Sequence, residues 1–348
     1  MWPRAGIGRQ SGLKIQWDLF PWRFESARGY HLIENYYMTN KNILITGGLG
    51  FIGGNLSKAL LNKNNVYCLD NLRSSSKKNL KELKKYKRFK FIDHDINKPI
   101  SLNIKFDHIY HLACPASPPV YQKDPIFTLD TCYIGTKNIL NIALKNECKI
   151  IFSSTSEIYG DPLVHPQKES YYGNVNTLGP RACYDEGKRI SETLFYEYNK
   201  IYGLNIRIAR IFNTYGPMMN KEDGRVVSQF INQALENRDI SVYGDGKQTR
   251  SFCYIDDLVN GLIRLSNKKY IGPINLGNPK EYSIKDFAKI IIKLTSSKSK
   301  IKYYELPVND PRKRKPNIGL ALKHLNWKPK ISLAKGLEKT VEYYKTSY

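Results

Sequence analysis

Two segments carry the residues best suited to chemistry. Ser153-Ser154-Thr155-Ser156-Glu157-Ile158-Tyr159-Gly160 gathers hydroxyls and a carboxylate, and Tyr184-Asp185-Glu186-Gly187-Lys188 sets a phenol and an ammonium at i and i+4. On a helix that spacing puts both groups on one face. An unperturbed tyrosine titrates at about 10, too high for a good base at neutral pH. A lysine one turn away stabilises the phenolate, and is expected to bring Tyr184 toward working pH. Lys188 is also placed to hold a nicotinamide ribose, and Thr155 supplies a hydroxyl to orient a reacting alcohol. Tyr-x-x-x-Lys also arises by chance on helix surfaces, so the pair gains meaning only beside a cofactor site.

Such a site is written upstream. Gly47, Gly50 and Gly53 form G-x-x-G-x-x-G directly after the apolar run Asn42-Ile43-Leu44-Ile45-Thr46 and before a helical stretch through Leu56, Ala59, Leu60 and Leu61. Gly47 allows a tight turn out of the strand, Gly50 lets backbone approach a pyrophosphate, and Gly53 lets helix and strand pack closely. The helix N-terminus then faces the anion. Isolated glycines read as a flexible turn; here the strand-to-helix context is the required one. Asp70 ends the next strand, where a carboxylate accepts hydrogen bonds from the ribose hydroxyls of NAD and repels a 2′-phosphate. NAD is therefore favoured over NADP, a preference that nearby Arg73 weakens slightly. Asp95 follows another short strand; it reaches the adenine or is a solvated loop residue.

The elements that must position these groups alternate. Short apolar runs at Asn42–Thr46, Val66–Leu69, Phe89–Ile92, His108–Leu112, Lys149–Phe152 and Ile206–Ala209 are separated in several places by helical stretches. That order predicts an α/β fold with a Rossmann-type, doubly wound parallel sheet. We expect an NAD-binding domain over 38–212, with return segments near 251–277. A smaller C-terminal substrate-binding domain would take 213–250 and 278–348.

Composition narrows the function class. The 348 residues suffice for a sizeable core, and 55 basic against 31 acidic residues give a net charge of +24. The lysines follow no aromatic-interleaved motif, so a solvated basic surface is preferred over a nucleic-acid or membrane partner; a polyanionic small molecule would still be attracted. No apolar run reaches the roughly 18 residues of a membrane span. Cys68, Cys114, Cys132, Cys148, Cys183 and Cys253 are scattered without a C-x-x-C pair, which suggests reduced thiols and no metal site. Residues 1–37 hold three of the four tryptophans, Trp2, Trp17 and Trp22, without helical or strand periodicity. They lack the core of a secretory signal, and Asp18, Glu25 and Glu34 argue against a transit peptide. Either Met38 is the natural start, or 1–37 is a dispensable, weakly ordered extension.

From about Lys41 to near the C-terminus the chain resembles the extended short-chain dehydrogenase/reductases of the nucleotide-sugar branch, and most closely the UDP-glucuronate decarboxylases, or UDP-xylose synthases. The matching runs are HLACPASPPVYQKDPIFTLDT (111–131), SSTSEIYGDPLVHPQKESYYGNVN (153–176), GPRACYDEGKRISET (179–193), RIARIFNTYGP (207–217), DGRVVSQFI (223–231), VYGDGKQTRSF (242–252) and DPRKRKPNI (310–318). Thr155-Ser156-Glu157 is the branch point: related 4,6-dehydratases carry an Asp-Glu pair there and 4-epimerases small neutral residues. Four positions, at three places, depart from the pattern. Cys114 replaces a usual serine beside the nicotinamide, Leu72-Arg73 an aromatic pair near the adenine, and Met218 a common arginine.

The resemblance implies a cycle without net redox change. Tyr184 takes the proton of the sugar 4-hydroxyl while NAD takes the C4 hydride. Carbon dioxide leaves from the β-keto acid, C5 is reprotonated, and the hydride returns to give UDP-xylose. Thr155, Ser156, Glu157, Tyr184 and Lys188 are the implied catalytic set; Glu157 either assists proton handling or repels the substrate carboxylate. The implied NAD contacts are Gly47, Gly50, Phe51, Ile52, Gly53, Asp70, Asn71, Ser74, Asp95, Ile96, Leu112, Cys114, Thr131, Ser153, Tyr184, Lys188 and Thr214. The implied nucleotide-sugar contacts are Asn213, Arg225, Tyr243, Gln248, Arg250 and Arg312, where arginine's planar fork suits a diphosphate. Arg314 lies in the same basic run, closing over the diphosphate or facing solvent. A soluble cytoplasmic homodimer built on the Tyr184 helix is implied as well, without a metal, a nucleic acid or the membrane anchor of some relatives. Two alternatives differ in class: a nucleotide-sugar epimerase or dehydratase, disfavoured by Thr155-Ser156-Glu157, and a non-catalytic basic NAD-binding scaffold, disfavoured by intact Thr155, Tyr184 and Lys188.

Overall fold

The computed structural model describes residues 38–305 and 313–347. The expectations for 1–37 and for Arg312 lie outside the described residues.

Six strands come first: β1 (Asn42–Thr46), β2 (Asn65–Asp70), β3 (Phe89–Asp93), β4 (His108–His111), β5 (Lys149–Thr155) and β6 (Ile206–Ile211). Five short or late strands follow as β7 (Thr214–Tyr215), β8 (Ile240–Tyr243), β9 (Thr249–Ser251), β10 (Cys253–Tyr254) and β11 (Pro273–Leu276), then β12 (Glu281–Ser283), β13 (Ile301–Tyr304) and β14 (Lys313–Arg314). The main sheet has seven strands in the order β11-β6-β5-β4-β1-β2-β3, and every pairing in it is parallel.

Its strands are near-continuous apolar runs because both faces are covered. Within β1, Ile43 and Ile45 pack with Leu56, Leu60, Leu258 and Leu262 of the helices Phe51–Leu60 and Ile255–Ser266. Leu44 points the other way, into a second core with Ile139, Leu140 and Phe195 of the helices Thr136–Asn146 and Ala182–Tyr202. Alternating side chains thus feed two layers. β1 pairs with β2 on one side and β4 on the other, so the strand order reverses there. A crevice opens beyond the carboxyl ends of parallel strands at such a switch point, and the glycine loop leaves β1 into it.

Three small sheets complete the C-terminal half. β7 pairs with β10, β8 with β13, and β9 lies between β12 and β14. The segment 251–277 returns to the main sheet, laying β11 beside β6. No helix among the described residues is long and apolar enough to cross a membrane.

Candidate active site

The glycine loop is built by close approach. Gly47 turns at φ +67°, and a Cβ there would lie 2.8 Å from the Cα of Ala113. A Cβ on Gly53 would come within 2.2 Å of the Gly47 carbonyl oxygen, so only glycine lets the helix begin this near the strand. Gly50 is the N-cap of the helix Phe51–Leu60, with no side chain capping it and no acidic residue in the first turn. The first-turn amides of Phe51, Ile52 and Gly53 therefore present an uncapped, positive helix end to the crevice. This is a fit to a dinucleotide pyrophosphate.

Asp70 braces that loop from below. It is 7% exposed, and it accepts hydrogen bonds from the Leu49 amide at 3.1 Å, the Leu72 amide at 2.9 Å and the Ser75 hydroxyl at 2.7 Å. Asn71, Ser74, Asp95, Ile96, Leu112, Cys114 and Thr131 line the same cavity as Asp70. Asp95 accepts from the Asn71 side-chain amide at 3.1 Å and the Asn97 backbone amide at 3.0 Å. Arg73 turns aside: its guanidinium pairs with Asp124 and lies 3.8 Å above the Phe127 ring centre. Its charge is thus committed away from Asp70.

A larger cleft adjoins, sharing Gly47, Gly50, Ser74, Leu112 and Cys114 with the first cavity. It brings together Phe51, Ile52, Gly53, Ser153, Thr155, Ser156, Glu157, Tyr184, Lys188 and Thr214 with Asn213, Arg225, Tyr243, Gln248 and Arg250. Thr155 is the last residue of β5, and Ser156–Tyr159 form a 3-10 turn that aims Ser156 and Glu157 inward. Tyr184 and Lys188 lie on the buried face of the helix Ala182–Tyr202.

The phenol and the ammonium are not directly bonded. Lys188 Nζ donates to the Ser153 carbonyl at 2.9 Å and sits 5.9 Å from the Tyr184 ring centre. Burial pushes Tyr184 well above the ordinary tyrosine value, Cys114 adds to this, and the Thr155 hydroxyl pulls the other way through a hydrogen bond. Desolvation thus leaves Tyr184 above its ordinary value, opposite to the direction expected from its spacing to Lys188. Tyr121 stacks on Tyr184 with ring centres 5.0 Å apart and nearly parallel planes. Below Lys188, His111 bridges the hydroxyls of Thr46 at 2.8 Å and Thr136 at 3.0 Å, and burial holds it neutral, at about 3.

Glu157 is the electrostatic centre of the cleft. One carboxylate oxygen pairs with Arg314 Nη1 at 2.6 Å and the other with Arg181. Burial alone would raise its pKa, but the charges of Arg314 and Arg181 win and hold it at about 2. Glu157 is thus a carboxylate throughout the neutral range. Arg314 is 2% exposed and also donates to the Ser156 hydroxyl at 3.3 Å and the Gly160 carbonyl at 2.8 Å. The sequence left Arg314 open between substrate and solvent; the parallel pairing of β14 with β9 carries it inward beside Arg250. Arg181 was missed altogether, although its place one turn before Tyr184 and Asp185 was a signal.

The remaining polar residues are held in place. Arg225 is bound to Asp223, with Nη2 to Oδ2 at 2.7 Å, and stands at the N-cap position of the helix Val226–Leu235 without a side-chain capping bond. Gln248 donates to the Tyr243 carbonyl at 2.6 Å. Met218 is buried and adopts φ +68°, and its methyl group would lie 2.7 Å from a Cβ on Gly54. It therefore packs on the glycine-loop helix and does not occupy a surface site.

Residues 44–340 match the family model described as GDP-mannose 4,6 dehydratase. Over 306 residues the chain is 50% identical to UDP-glucuronic acid decarboxylase 6 of Arabidopsis thaliana, a match covering 87% of this chain and 89% of the relative. It is 49% identical over 306 residues to UDP-glucuronic acid decarboxylase 1 of Xenopus tropicalis, covering 88% of this chain and 72% of the relative. Among solved structures, UDP-glucuronic acid 4-epimerase from Bacillus cereus, in complex with UDP-glucuronic acid and NAD, superposes with TM-score 0.79 at 29% identity, covering 88% of this chain and 100% of that one. The chain therefore belongs to the GDP-mannose 4,6 dehydratase family and, within it, to the UDP-glucuronic acid decarboxylases.

Proposed function

We propose that the protein converts UDP-glucuronate to UDP-xylose and carbon dioxide, with NAD recycled in the site. One observation carries the reading: Tyr184, Lys188 and Thr155 share a cleft with a glycine loop and with the Glu157–Arg181–Arg314 cluster. Bound NAD would supply a hydride acceptor and donor at C4 of the sugar. Gly47, Gly50, Gly53 and Asp70 would hold the dinucleotide, and Lys188 would hold its nicotinamide ribose. Tyr184 accepts the proton of the sugar 4-hydroxyl, which Thr155 orients. A buried phenol pushed this high stays protonated by itself, so its use as a base depends on positive charge brought close to it.

The resulting 4-ketone is β to the C6 carboxylate. The C5–C6 bond breaks, carbon dioxide leaves, and the electron pair passes to the ketone oxygen as an enolate. A proton then returns to C5. Glu157, already ionised, is a positioning residue: it holds Arg314 and Arg181 at the carboxylate end of the cleft. Ser156, fixed by Arg314, offers its hydroxyl to the carboxylate. Arg225, Arg250, Tyr243, Gln248 and Asn213, with Arg312, take the uridine diphosphate, whose charge suits guanidinium forks. Residues 38–212 with the return near 251–277 act as the NAD half, and 213–250 with 278–348 as the nucleotide-sugar half.

The protein acts as a cytoplasmic homodimer on this reading. Ile126, Tyr133, Ile134, Ile190 and Tyr196 leave apolar surface exposed along the helices beside and including Ala182–Tyr202, with Ile126 66% and Tyr196 56% exposed. Such a patch favours a second copy. Sedimentation at micromolar concentration tests this, and a monomer throughout would refute it.

The reaction is tested by incubating the purified chain with UDP-glucuronate and a trace of NAD. Carbon dioxide and UDP-xylose should form without net NADH. A 4-ketopentose with stoichiometric NADH would show an oxidative decarboxylase that releases its intermediate. Turnover of UDP-glucose but not of UDP-glucuronate would overturn the proposal.

A further inference from the structure

Two thiols meet beside the cofactor cavity without taking part in the acid–base set. The Sγ atoms of Cys114 and Cys132 lie 3.4 Å apart. Cys114 follows β4 and lines both the adenosine cavity and the larger cleft. Cys132 is buried in the wide π-helical turn Thr131–Gly135, which packs against the helix bearing Tyr184 and Lys188. We propose that Cys114 and Cys132 are a dithiol pair that peroxide converts to a reversible disulfide, and that the disulfide lowers the affinity of the cleft for NAD.

The geometry favours one sulfur as the mobile partner. A disulfide needs about 2 Å between sulfurs, so the pair must close by a little over 1 Å. Cys132 is held: a Cβ on Gly187 would lie 2.9 Å from its sulfur, and its carbonyl accepts from the Ser191 hydroxyl at 2.7 Å. The movement therefore falls on Cys114 and its neighbour Ala113. Ala113 is packed directly on Gly47, within 2.8 Å of where a Cβ would stand. Drawing Cys114 inward shifts the wall on which the glycine loop rests.

The reactivities divide in the same sense. Burial raises the Cys114 thiol, but its contact with Cys132 and the Lys188 charge outweigh this and lower it. Cys132 is pushed up, first by that same contact and then by burial. Cys114 is thus the attacking thiolate. It displaces hydroxide from hydrogen peroxide as the O–O bond breaks, giving a sulfenic acid and, after protonation, one water. The Cys132 sulfur then attacks that sulfur, expelling the oxygen as a second water and forming the S–S bond. Two thiols lose two electrons and one peroxide gains them.

The inference rests on the NAD reading for its affinity readout and is independent of which sugar reacts. The full chain, reduced, is treated with hydrogen peroxide. Peptide mass mapping then looks for a 114–132 link, and NAD is titrated before oxidation, after it, and after dithiothreitol. We expect the link, NAD binding weaker by more than about fivefold, within the usual range of coupling between sites, and full recovery on reduction. Saturating NAD should slow link formation, since coupling is reciprocal. In Cys132→Ala the resolving sulfur is gone, so peroxide should carry Cys114 on to sulfinic acid that dithiothreitol does not reverse. Absence of the link, or a link with unchanged NAD affinity, would overturn the proposal. Failure of the reduced chain to bind NAD would overturn the cofactor reading and the affinity half of this one, with the link still scored by mass.

Discussion

Replacing Glu157 by Gln tests the charge logic of the cleft. The Arg314 and Arg181 charges hold this carboxyl at about 2 against an ordinary value of 4.5. At about 1.36 kcal/mol per pH unit, that difference corresponds to roughly 3 kcal/mol of stability at neutral pH. Because the folded pKa is depressed, the contribution is fully present above about 4.5 and is lost as pH falls toward about 2. The side chain is 16% exposed, so solvent screening removes little of it. Glu157→Gln keeps the shape and removes the carboxylate that both guanidiniums share. Breaking one partner of a buried pair costs about 3–5 kcal/mol, in line with that figure. Urea denaturation at pH 7 of the wild type, Glu157→Gln, Arg314→Met and the double variant measures the pair through its coupling. A coupling of about 2 kcal/mol or more is expected, and one under about 0.5 kcal/mol would refute the reasoning. The pH–rate profile supplies a second check. With its carboxyl at about 2, Glu157 should contribute no ionisation between about pH 5 and 8, so a limb that vanishes in Glu157→Gln would show it acting as an acid or base.

Tyr184→Phe should lower turnover of UDP-glucuronate by about 100- to 10,000-fold while NAD titration is unchanged; full activity would remove Tyr184 from its role. Gly53→Ala places a Cβ 2.2 Å from the Gly47 carbonyl. Overpacking of this kind costs about 1–3 kcal/mol and should weaken NAD binding as the loop shifts; an unchanged midpoint in urea would contradict the packing argument. Asp185 is buried, and burial, then the Glu157 charge, raise its carboxyl to about 7. A raised carboxyl gives stability that is complete below the ordinary value of 3.8 and is lost as pH rises toward about 7. Asp185→Asn should therefore raise the melting temperature at about pH 8 and leave it nearly unchanged at about pH 4, and equal shifts at both would exclude the ionisation as the cause.

The main sheet was readable because its strands are buried on both faces, which forces long apolar runs such as Asn42–Thr46. β5 and β6 extend past their apolar runs, to Thr155 and Ile211, and β11 was covered only by the return segment near 251–277. Ser153, Ser154 and Thr155 are polar yet 8% exposed or less, and Ser153 keeps its place by donating to the His111 carbonyl at 3.1 Å. Hydropathy carries no trace of such a bond. The same blindness hid Arg314. β9 and β14 are three and two residues long, too short to show any period. The contact that defines Arg314 reaches back to Glu157 across the chain, and a run of cations looks the same in sequence whether one of them is buried or none is.

That buried contact bears on which reaction a shared scaffold performs. The Bacillus cereus 4-epimerase binds UDP-glucuronic acid and NAD on a closely similar fold. Neither the fold nor the sugar nucleotide can then be what separates epimerisation from decarboxylation. Both routes begin by making a ketone at C4, and with glucuronate that ketone is a β-keto acid, disposed to lose carbon dioxide. The difference must lie in how the carboxylate is held. A free guanidinium gripping it would stabilise the ground state and oppose its departure. In this cleft the charges of Arg314 and Arg181 are already engaged by Glu157. On the proposed reading they orient the substrate carboxylate without neutralising it, so less binding energy is lost when the C5–C6 bond breaks. Glu157→Gln would then remove the carboxylate that engages both guanidiniums, tighten the ground state, and lower KM and kcat together; a fall in kcat with KM raised would point to misplacement of the arginines instead.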